Sequence, residues 1–360
     1  MAPHTDELNA LKEQLSEQAL ALGFVAMGVA RAQALGVEAE RLRQWLADGY
    51  AADMDYMKRT SDVRENPLHQ GMLPTAKSIV VLARPYRKNA DASFAFGPAK
   101  VAQYAQGRDY HNALRAPLRQ LASCLEQAGY KTRIALDTMP VFERAWAERA
   151  GVGFVGKNCC LIVPGVGSHV FLAALVSEAP LPPDAPCAQG CGECRLCLEH
   201  CPTRAFEAPG KLDARRCIAY LTIENRGTIP EPLRKGVGSW LFGCDACQDI
   251  CPYNRGKHKT VDYSTPQDRQ IKNRMREVAL EDWLSMDSSQ FEALTAGTPF
   301  KRPTQIGMAR NVLVVLGNRG EQKHIKLLKH ILRTHPSEIL RNHAKWALKQ
   351  LVSRFGSKSA

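Results

Sequence analysis

The first half of the chain alternates two hydrophobic periods. Leu8, Leu11, Leu15 and Leu22 recur at helical spacing, and Phe24 to Val29 then reads as a short strand. Arg41 to Leu46 is helical again. Ser78-Ile79-Val80-Val81-Leu82-Ala83 is a continuous apolar run, the composition of a strand covered on both faces. Asn112 to Ala128 carries one apolar face and stops at Gly129; strands at Thr132 to Leu136 and Val170 to Val176 complete the series. This order predicts a layered α/β domain over residues 1–180. Gly151-x-Gly153-x-x-Gly156 spells a dinucleotide fingerprint, but it follows a helix instead of a strand, so no nucleotide site is expected there.

Leu181-Pro182-Pro183-Asp184-Ala185-Pro186 breaks both periods and reads as a linker. A cysteine-rich segment follows, over 181–256. From 257 to 360 the period is helical once more. Asn311 to Leu316, Ile325 to Leu332 and Ile339 to Val352 are the apolar stretches, with Gly317, Gly320 and His335-Pro336 at the turns. This rhythm predicts short antiparallel helices like a HEAT repeat, although one copy shows no period.

Charge sharpens that picture. The formal net charge is +12, and residues 255–360 hold 20 Lys+Arg against 9 Asp+Glu, a difference of +11. A positive charge gathered at one end predicts an acidic partner, nucleic acid before an acidic redox protein. Arg310, Arg319, Lys323, Lys326, Arg341 and Lys345 are the candidates to track phosphates. The opening MAPHTDELNALKEQ is polar and acidic, and no stretch reaches the length of an apolar membrane helix. A cytoplasmic protein, expected to be a monomer, is the reading that follows.

Eight of the twelve cysteines supply the chemistry. Cys191-x2-Cys194-x2-Cys197-x3-Cys201-Pro202 is followed by a lone Cys217 and by Cys244-x2-Cys247-x3-Cys251-Pro252. The first run is the bacterial spacing for cubane iron–sulfur clusters, in which the fourth cysteine ligates the other cluster of a pair. Two [4Fe–4S] clusters are expected, one on Cys191, Cys194, Cys197 and Cys251, the other on Cys201, Cys217, Cys244 and Cys247. Four-cysteine zinc sites use paired C-x2-C units but have no need of three cysteines at two-residue intervals before a fourth and a proline. A disulfide framework does not suit a reducing compartment. Cys187-x3-Cys191-x2-Cys194 has the radical-SAM spacing, but the run continues into ferredoxin spacing and Glu193 stands where that family carries an aromatic residue. Cys187 is therefore a spare, Cys124 belongs to a helix core, and Cys159 and Cys160 stay unassigned.

Two clusters carry electrons without choosing a substrate, so the domain ahead of them should hold an acceptor. Its densest segment runs from Leu136 to Asn158. Asp137 closes a strand before a helix, where it serves either as an N-cap or as a general acid. Lys157 and Asn158 read as a polar turn. Asp109-x-His111 begins like a cobalt-ligating D-x-H-x-x-G motif, but Leu114 replaces its glycine, so His111 is expected to be structural or to touch substrate.

Residues 61–67 (SDVRENP), 104–111 (YAQGRDYH) and 136–158, with the cysteine array, Pro299-Phe-Lys-Arg302 and Arg310-Asn311, resemble the epoxyqueuosine reductase family. The resemblance spans most of the chain. It implies a cobalamin-dependent enzyme with two [4Fe–4S] clusters and a core like that of reductive dehalogenases, reducing the epoxide of epoxyqueuosine in a tRNA anticodon loop to the alkene of queuosine. It also implies Asp137 as proton donor, kept protonated by an apolar corrin. Arg64, Asp137, Leu161, Leu172 and Ile218 would line the corrin pocket, and Arg144 would face the tRNA. The plain alternatives are core packing for the three apolar residues and an i,i+4 ion pair with Glu148 for Arg144. The electron donor has no signature. A reductive dehalogenase or a two-cluster electron carrier is the alternative function.

Overall fold

The computed structural model describes residues 5–86, 99–255, 270–271, 273–275 and 277–356. The expected boundary at 256 and 257 lies outside them. The elements leading to the first sheet are α1 (Thr5–Ala21), β1 (Ala26–Arg31), α2 (Val37–Ala47), α3 (Asp55–Arg59), α4 (Ser61–Glu65) and β2 (Ser78–Pro85). After the short β3 (Lys100–Val101) come α5 (Tyr110–Gln127), β4 (Thr132–Ala135), α6 (Glu143–Arg149), the two-residue strands β5 (Phe154–Val155) and β6 (Leu161–Ile162), and β7 (Val170–Ser177).

Four of these strands form one sheet in the order β1-β2-β7-β4, with every neighbour antiparallel. The continuous apolar run of β2 follows from its place inside that sheet. Val80 and Leu82 join Val29, Ala173 and Leu175 against Leu15 of α1 and Leu114, Leu118 and Leu121 of α5. Ile79, Val81 and Ala83 join Ala30, Ala174 and Val176 on the opposite face, against Ala145, Trp146 and Ala147 of α6. A strand with helices on both faces needs no polar side. Gly28 lets α6 approach, because a Cβ there would lie 1.9 Å from the Ala150 carbonyl oxygen. The glycine run after α6 has a similar cause. A Cβ on Gly153 would lie 2.3 Å from the Ile162 carbonyl oxygen, across the β5–β6 pair.

The linker is strapped down. Asp184 Oδ2 accepts from the Val29 backbone N–H at 2.8 Å, and the Asp184 N–H returns a bond to the Val29 carbonyl at 2.8 Å. Lys12 Nζ holds the same carboxylate at 2.6 Å and the Pro182 carbonyl at 3.0 Å. These contacts occupy the outer edge of β1, whose backbone groups would otherwise be open to pairing. Cys124 is only half-buried, on the side of α5, and its Sγ donates to Gln18 Oε1 at 2.6 Å.

The C-terminal helices Thr304–Arg319, His324–Thr334 and Glu338–Phe355 pack together, the first and second each lying against the third. Their core is continuous with the cysteine segment. Met308, Val312, Leu313 and Leu316 share one buried cluster with Ile218, Leu221, Leu241 and Phe242, and with Val101 of β3. Arg310 departs from its expected role. Its side chain is fully buried and donates to the backbone carbonyls of Leu221, Asn225 and Gly227 at 2.7–2.8 Å. Burial pushes its pKa down to about 10. A guanidinium spent on closing three carbonyls is out of reach of phosphate. Arg341 is partly used in the same way, on the His335 and Pro336 carbonyls. Arg319, Lys323, Lys326 and Lys345 stay exposed.

Candidate active site and cysteine groups

The carboxyl ends of β2 and β4 and the amino end of β7 open into a cleft of about 350 Å³. Tyr86, Tyr104, Tyr110, Val170, Phe171 and Leu172 wall it, and Asp137, Glu143, Arg144 and Arg302 supply its charges. The walls are aromatic. Phe171 lies 4.7 Å from the ring centres of both Tyr86 and Tyr110.

Asp137 sits two residues beyond β4 with φ of +46°, a left-handed conformation that aspartate tolerates better than most residues. Its Oδ2 accepts from Tyr110 Oη at 2.5 Å and lies 3.3 Å from His111 Nε2 and 3.8 Å from Arg302 Nη2. The N-cap of α5 is Asp109, which accepts from the His111 backbone N–H at 3.0 Å and from His111 Nδ1 at 2.8 Å. The helix that follows Asp137, α6, has Phe142 at its N-cap with no side-chain cap, so Asp137 caps no helix there and faces the cleft with half its side chain exposed.

The electrostatics differ from the expected neutral acid. Burial pushes the Asp137 carboxyl up, but His111, Tyr110 and the Arg302 charge together outweigh it and hold the group below its usual value. His111 moves the other way. Its bond to Asp109, then its contact with Asp137, raise it to about 9 against the cost of burial. In this arrangement the proton resides on His111 and the charge on Asp137. The sequence reading assumed an apolar neighbour for Asp137 and did not foresee the cation from residue 302.

Glu143 opens α6 and lines the same cleft. Its Oε1 is buried with no hydrogen-bond partner, and burial raises the carboxyl to about 7. Arg144 next to it donates to the Cys159 carbonyl. The alternative Glu148 contact is not made; Glu148 instead accepts from the Val155 N–H at 2.9 Å. Of the residues assigned to a corrin pocket, Asp137 and Leu172 line the cleft. Arg64 is buried, bonded through Nε to Thr60 Oγ1 at 2.9 Å, and its pKa is lowered chiefly by burial, with Glu143, Tyr56 and Asp137 acting against it. Leu161 lies in the cluster against which Leu172 packs. Ile218, just after Cys217, belongs to the C-terminal core.

The eight cysteines fall into two neighbourhoods. The Cys197 thiol is raised to about 11 by burial, with Cys191 and Cys251 as its nearest thiol influences, and Cys251 in turn feels Cys191 and Cys194. Cys244 is raised to about 12 by burial with Cys217 and Cys201 beside it, and Cys247 feels Cys217 and Cys244. These influences run within the expected sets, and Cys160 acts on members of both, on Cys251 as well as on Cys217 and Cys247. Among the described residues no group of three or more His, Cys, Asp or Glu is drawn together closely enough for a single metal ion. Cubane ligands sit on separate irons and lie farther apart than those around one ion.

The Gly156–Cys160 turn joins the cleft to these cysteines. The Lys157 backbone N–H donates to Cys191 Sγ at 3.4 Å, and Lys157 Nζ donates to the Gly192 carbonyl at 2.6 Å. Asn158 Nδ2 reaches the Cys247 carbonyl at 3.4 Å, and the free thiols of Cys160 and Cys247 lie close enough to influence each other. Cys159 has φ of +63° and presents its carbonyl to Arg144. Tyr86, Tyr104, Tyr110, Glu143, Val170, Phe171 and Arg302 are cleft residues to which the sequence reading gave no site role. Tyr104, Tyr110, Glu143 and Arg302 lay inside the stretches that carry the family resemblance, without any local signal of a role.

Comparison with known proteins agrees with this layout. Residues 64–138 match the family profile described as epoxyqueuosine reductase QueG, and residues 190–254 match a 4Fe-4S double cluster binding domain. The epoxyqueuosine reductase of Gloeobacter violaceus is 39% identical over 86% of this chain and 96% of its own length. That of Escherichia coli is 35% identical over 97% and 91%. The crystal structure of an epoxyqueuosine reductase with an epoxyqueuosine-modified tRNA-Tyr stem loop superposes with a TM-score of 0.82 at 31% identity, covering 95% of this chain and 90% of that one. The Bacillus subtilis enzyme, in a structure with its catalytic aspartate loop swung out of the active site, gives 0.84 at 29% identity, covering 95% and 91%. With two paired cysteine groups beside an acid-bearing cleft, this chain belongs to the epoxyqueuosine reductase family.

Proposed function

We propose that the chain reduces epoxyqueuosine to queuosine in the anticodon loop of tRNA, using cobalamin and two [4Fe–4S] clusters, with Asp137 delivering a proton. The observation that carries this reading is the position of Asp137. It stands in an aromatic-walled cleft, backed by a protonated His111, and the Arg144 wall of that cleft touches the turn holding Cys160 against Cys247.

The cleft suits the group it must hold. Val170, Phe171 and Leu172 offer an apolar wall, while Arg144 and the unpartnered Glu143 oxygen offer polar groups at the edge, with Arg64 buried behind them. Cobalamin, when bound, supplies the reductive chemistry that protein side chains lack. Leu161 and Ile218 would support the pocket from behind, given their burial. Cys191, Cys194, Cys197 and Cys251 would hold one cluster and Cys201, Cys217, Cys244 and Cys247 the other, relaying electrons one at a time.

The residues of this chain position the base and move protons. Tyr86 and Tyr104 line the cleft that a base turned out of the loop would enter, while the Tyr110 ring is already stacked against Phe171 and His111 with Arg302 over it. Filling the cleft removes water from Asp137, which strengthens the penalty on its charged form. A proton can then pass from His111 Nε2 over 3.3 Å to Oδ2 and on to the leaving oxygen. Arg144 at the rim, with Arg319, Lys323, Lys326 and Lys345 on the helical segment, would hold the tRNA backbone.

The division into a catalytic domain (1–180), a cluster domain (181–256) and a HEAT-like tRNA-binding segment (257–360) belongs to the same proposal, as do a monomeric state, a cytoplasmic setting and a separate electron donor. No helix among the described residues is long and apolar enough to cross a membrane. The test is conversion of an epoxyqueuosine stem loop by anaerobically reconstituted protein, with and without corrinoid. Conversion that depends on both corrinoid and iron supports the reading; iron-loaded protein that neither binds corrinoid nor converts the stem loop leaves it an electron carrier.

A further inference from the structure

Removing an epoxide oxygen breaks two C–O bonds and consumes two electrons and two protons, giving an alkene and water. The clusters account for the electrons, and the Asp137–His111 pair accounts for one proton. The second proton needs a source within the same cleft.

Glu143 is placed for it. It lines the cleft with Asp137, and its Oε1 is buried with no donor within hydrogen-bond distance. Its own backbone N–H is the one hydrogen bond that favours its charged form, and Asp137, Arg144 and Arg64 are the charges that face it. Arg64 is directed to Thr60 and Arg144 to the Cys159 carbonyl, so neither closes an ion pair with it. A carboxyl oxygen removed from water without a donor is stable in its protonated form. Asp137, with one hydrogen bond from Tyr110 and two basic groups 3.3 and 3.8 Å from the same oxygen, has the opposite environment. Two carboxyls whose surroundings push them apart are the usual basis for dividing acid and base roles.

We infer that Glu143 is a second acid of this cleft, holding the proton that completes the departing oxygen as water; the inference rests on the proposed epoxide reduction. Burial sets this group to release its proton as pH rises through about 7, within the working range of a general acid.

The experiment uses the full-length protein loaded with iron, sulfide and cobalamin, comparing wild type, Glu143→Gln and Asp137→Asn. Burial raises Asp245 to about 7 as well, so the infrared readout is the difference between proteins: a protonated carboxyl component that disappears near pH 7, is lost in Glu143→Gln and persists in Asp137→Asn. Single-turnover conversion by wild type should fall as pH rises through about 7. Glu143→Gln should be roughly a hundredfold slower and lack that limb. The absence of that difference between wild type and Glu143→Gln overturns the inference, whatever the rates. So does a Glu143→Gln protein with wild-type rate and pH profile, or one whose only defect is weaker corrinoid binding in the visible spectrum. If every loaded protein is inactive, the proposed reaction fails, while the infrared difference still decides whether Glu143 holds a proton.

Discussion

Arg302 Nη2 donates to the Tyr110 hydroxyl at 3.1 Å, closing a separation of 192 residues. The guanidinium also lies over the Tyr110 ring, 5.2 Å from its centre, and 3.8 Å from Asp137 Oδ2. One residue from the basic C-terminal part thus helps to set the charge of the acid. Arg302→Ala should raise the Asp137 pKa and lower turnover roughly 10- to 100-fold, the weight of one charge-assisted hydrogen bond. Arg302→Lys keeps the charge but loses the planar stack, and should recover only part of the rate. Turnover and its pH profile, measured with clusters and corrinoid loaded, check both.

The His111 pair gives stability its own pH window. Its folded pKa is raised from 6.5 to about 9, so its contribution is complete below 6.5 and is lost as pH rises through about 9. Asp137 has a lowered pKa, so its share is present above 3.8 and lost as pH falls toward acid. His111→Gln should therefore be less stable than wild type at pH 6, and the gap should close by about pH 10. Thermal unfolding across that range measures the difference.

Cluster assignment is tested by removing one ligand from each set. Cys251→Ala should lower iron from about eight to about four per chain and leave the second cluster's signal intact. Cys217→Ala should do the reverse. Iron analysis with electron paramagnetic resonance of the reduced protein distinguishes the two sets; loss of all iron in both variants would mean that the cysteines act as one site.

Arg310 and Lys345 should separate stability from tRNA binding. Arg310→Ala leaves three buried carbonyls without their donor, and should destabilise the fold by roughly 3–5 kcal/mol. Lys345→Ala should leave the melting temperature unchanged and reduce the salt dependence of stem-loop binding by about one unit of slope. Melting curves and salt titrations of both variants check the contrast.

The double-cluster segment was legible because cluster ligation is written in short spacings, and residues 190–254 match a 4Fe-4S double cluster binding domain. β2 and β7 were legible from apolar runs that need no partner to be recognised, and the shorter β4 from the stretch after Gly129. What stayed hidden depends on distant contacts. Nothing near Arg302 in sequence announces Tyr110 or Asp137, and nothing near Asp184 announces the edge of β1 that it covers. Arg310 was misread for a related reason. A basic residue on a basic segment looks like a phosphate contact until the fold places it beneath three carbonyls. Glu143 shows neither its burial nor its missing partner in the sequence, since both arise from packing against the cleft.

The most direct test is single-turnover reduction of an epoxyqueuosine stem loop by wild type and Asp137→Asn, each loaded anaerobically with iron, sulfide and cobalamin. Asparagine tolerates the left-handed backbone at 137 and keeps the size of the side chain. Wild type should convert the nucleoside to one lighter by an oxygen atom. Asp137→Asn, with the same iron and corrinoid content, should be slower by roughly 10²- to 10⁴-fold. Equal rates in the two proteins would contradict the assignment of Asp137 as the residue that delivers the proton.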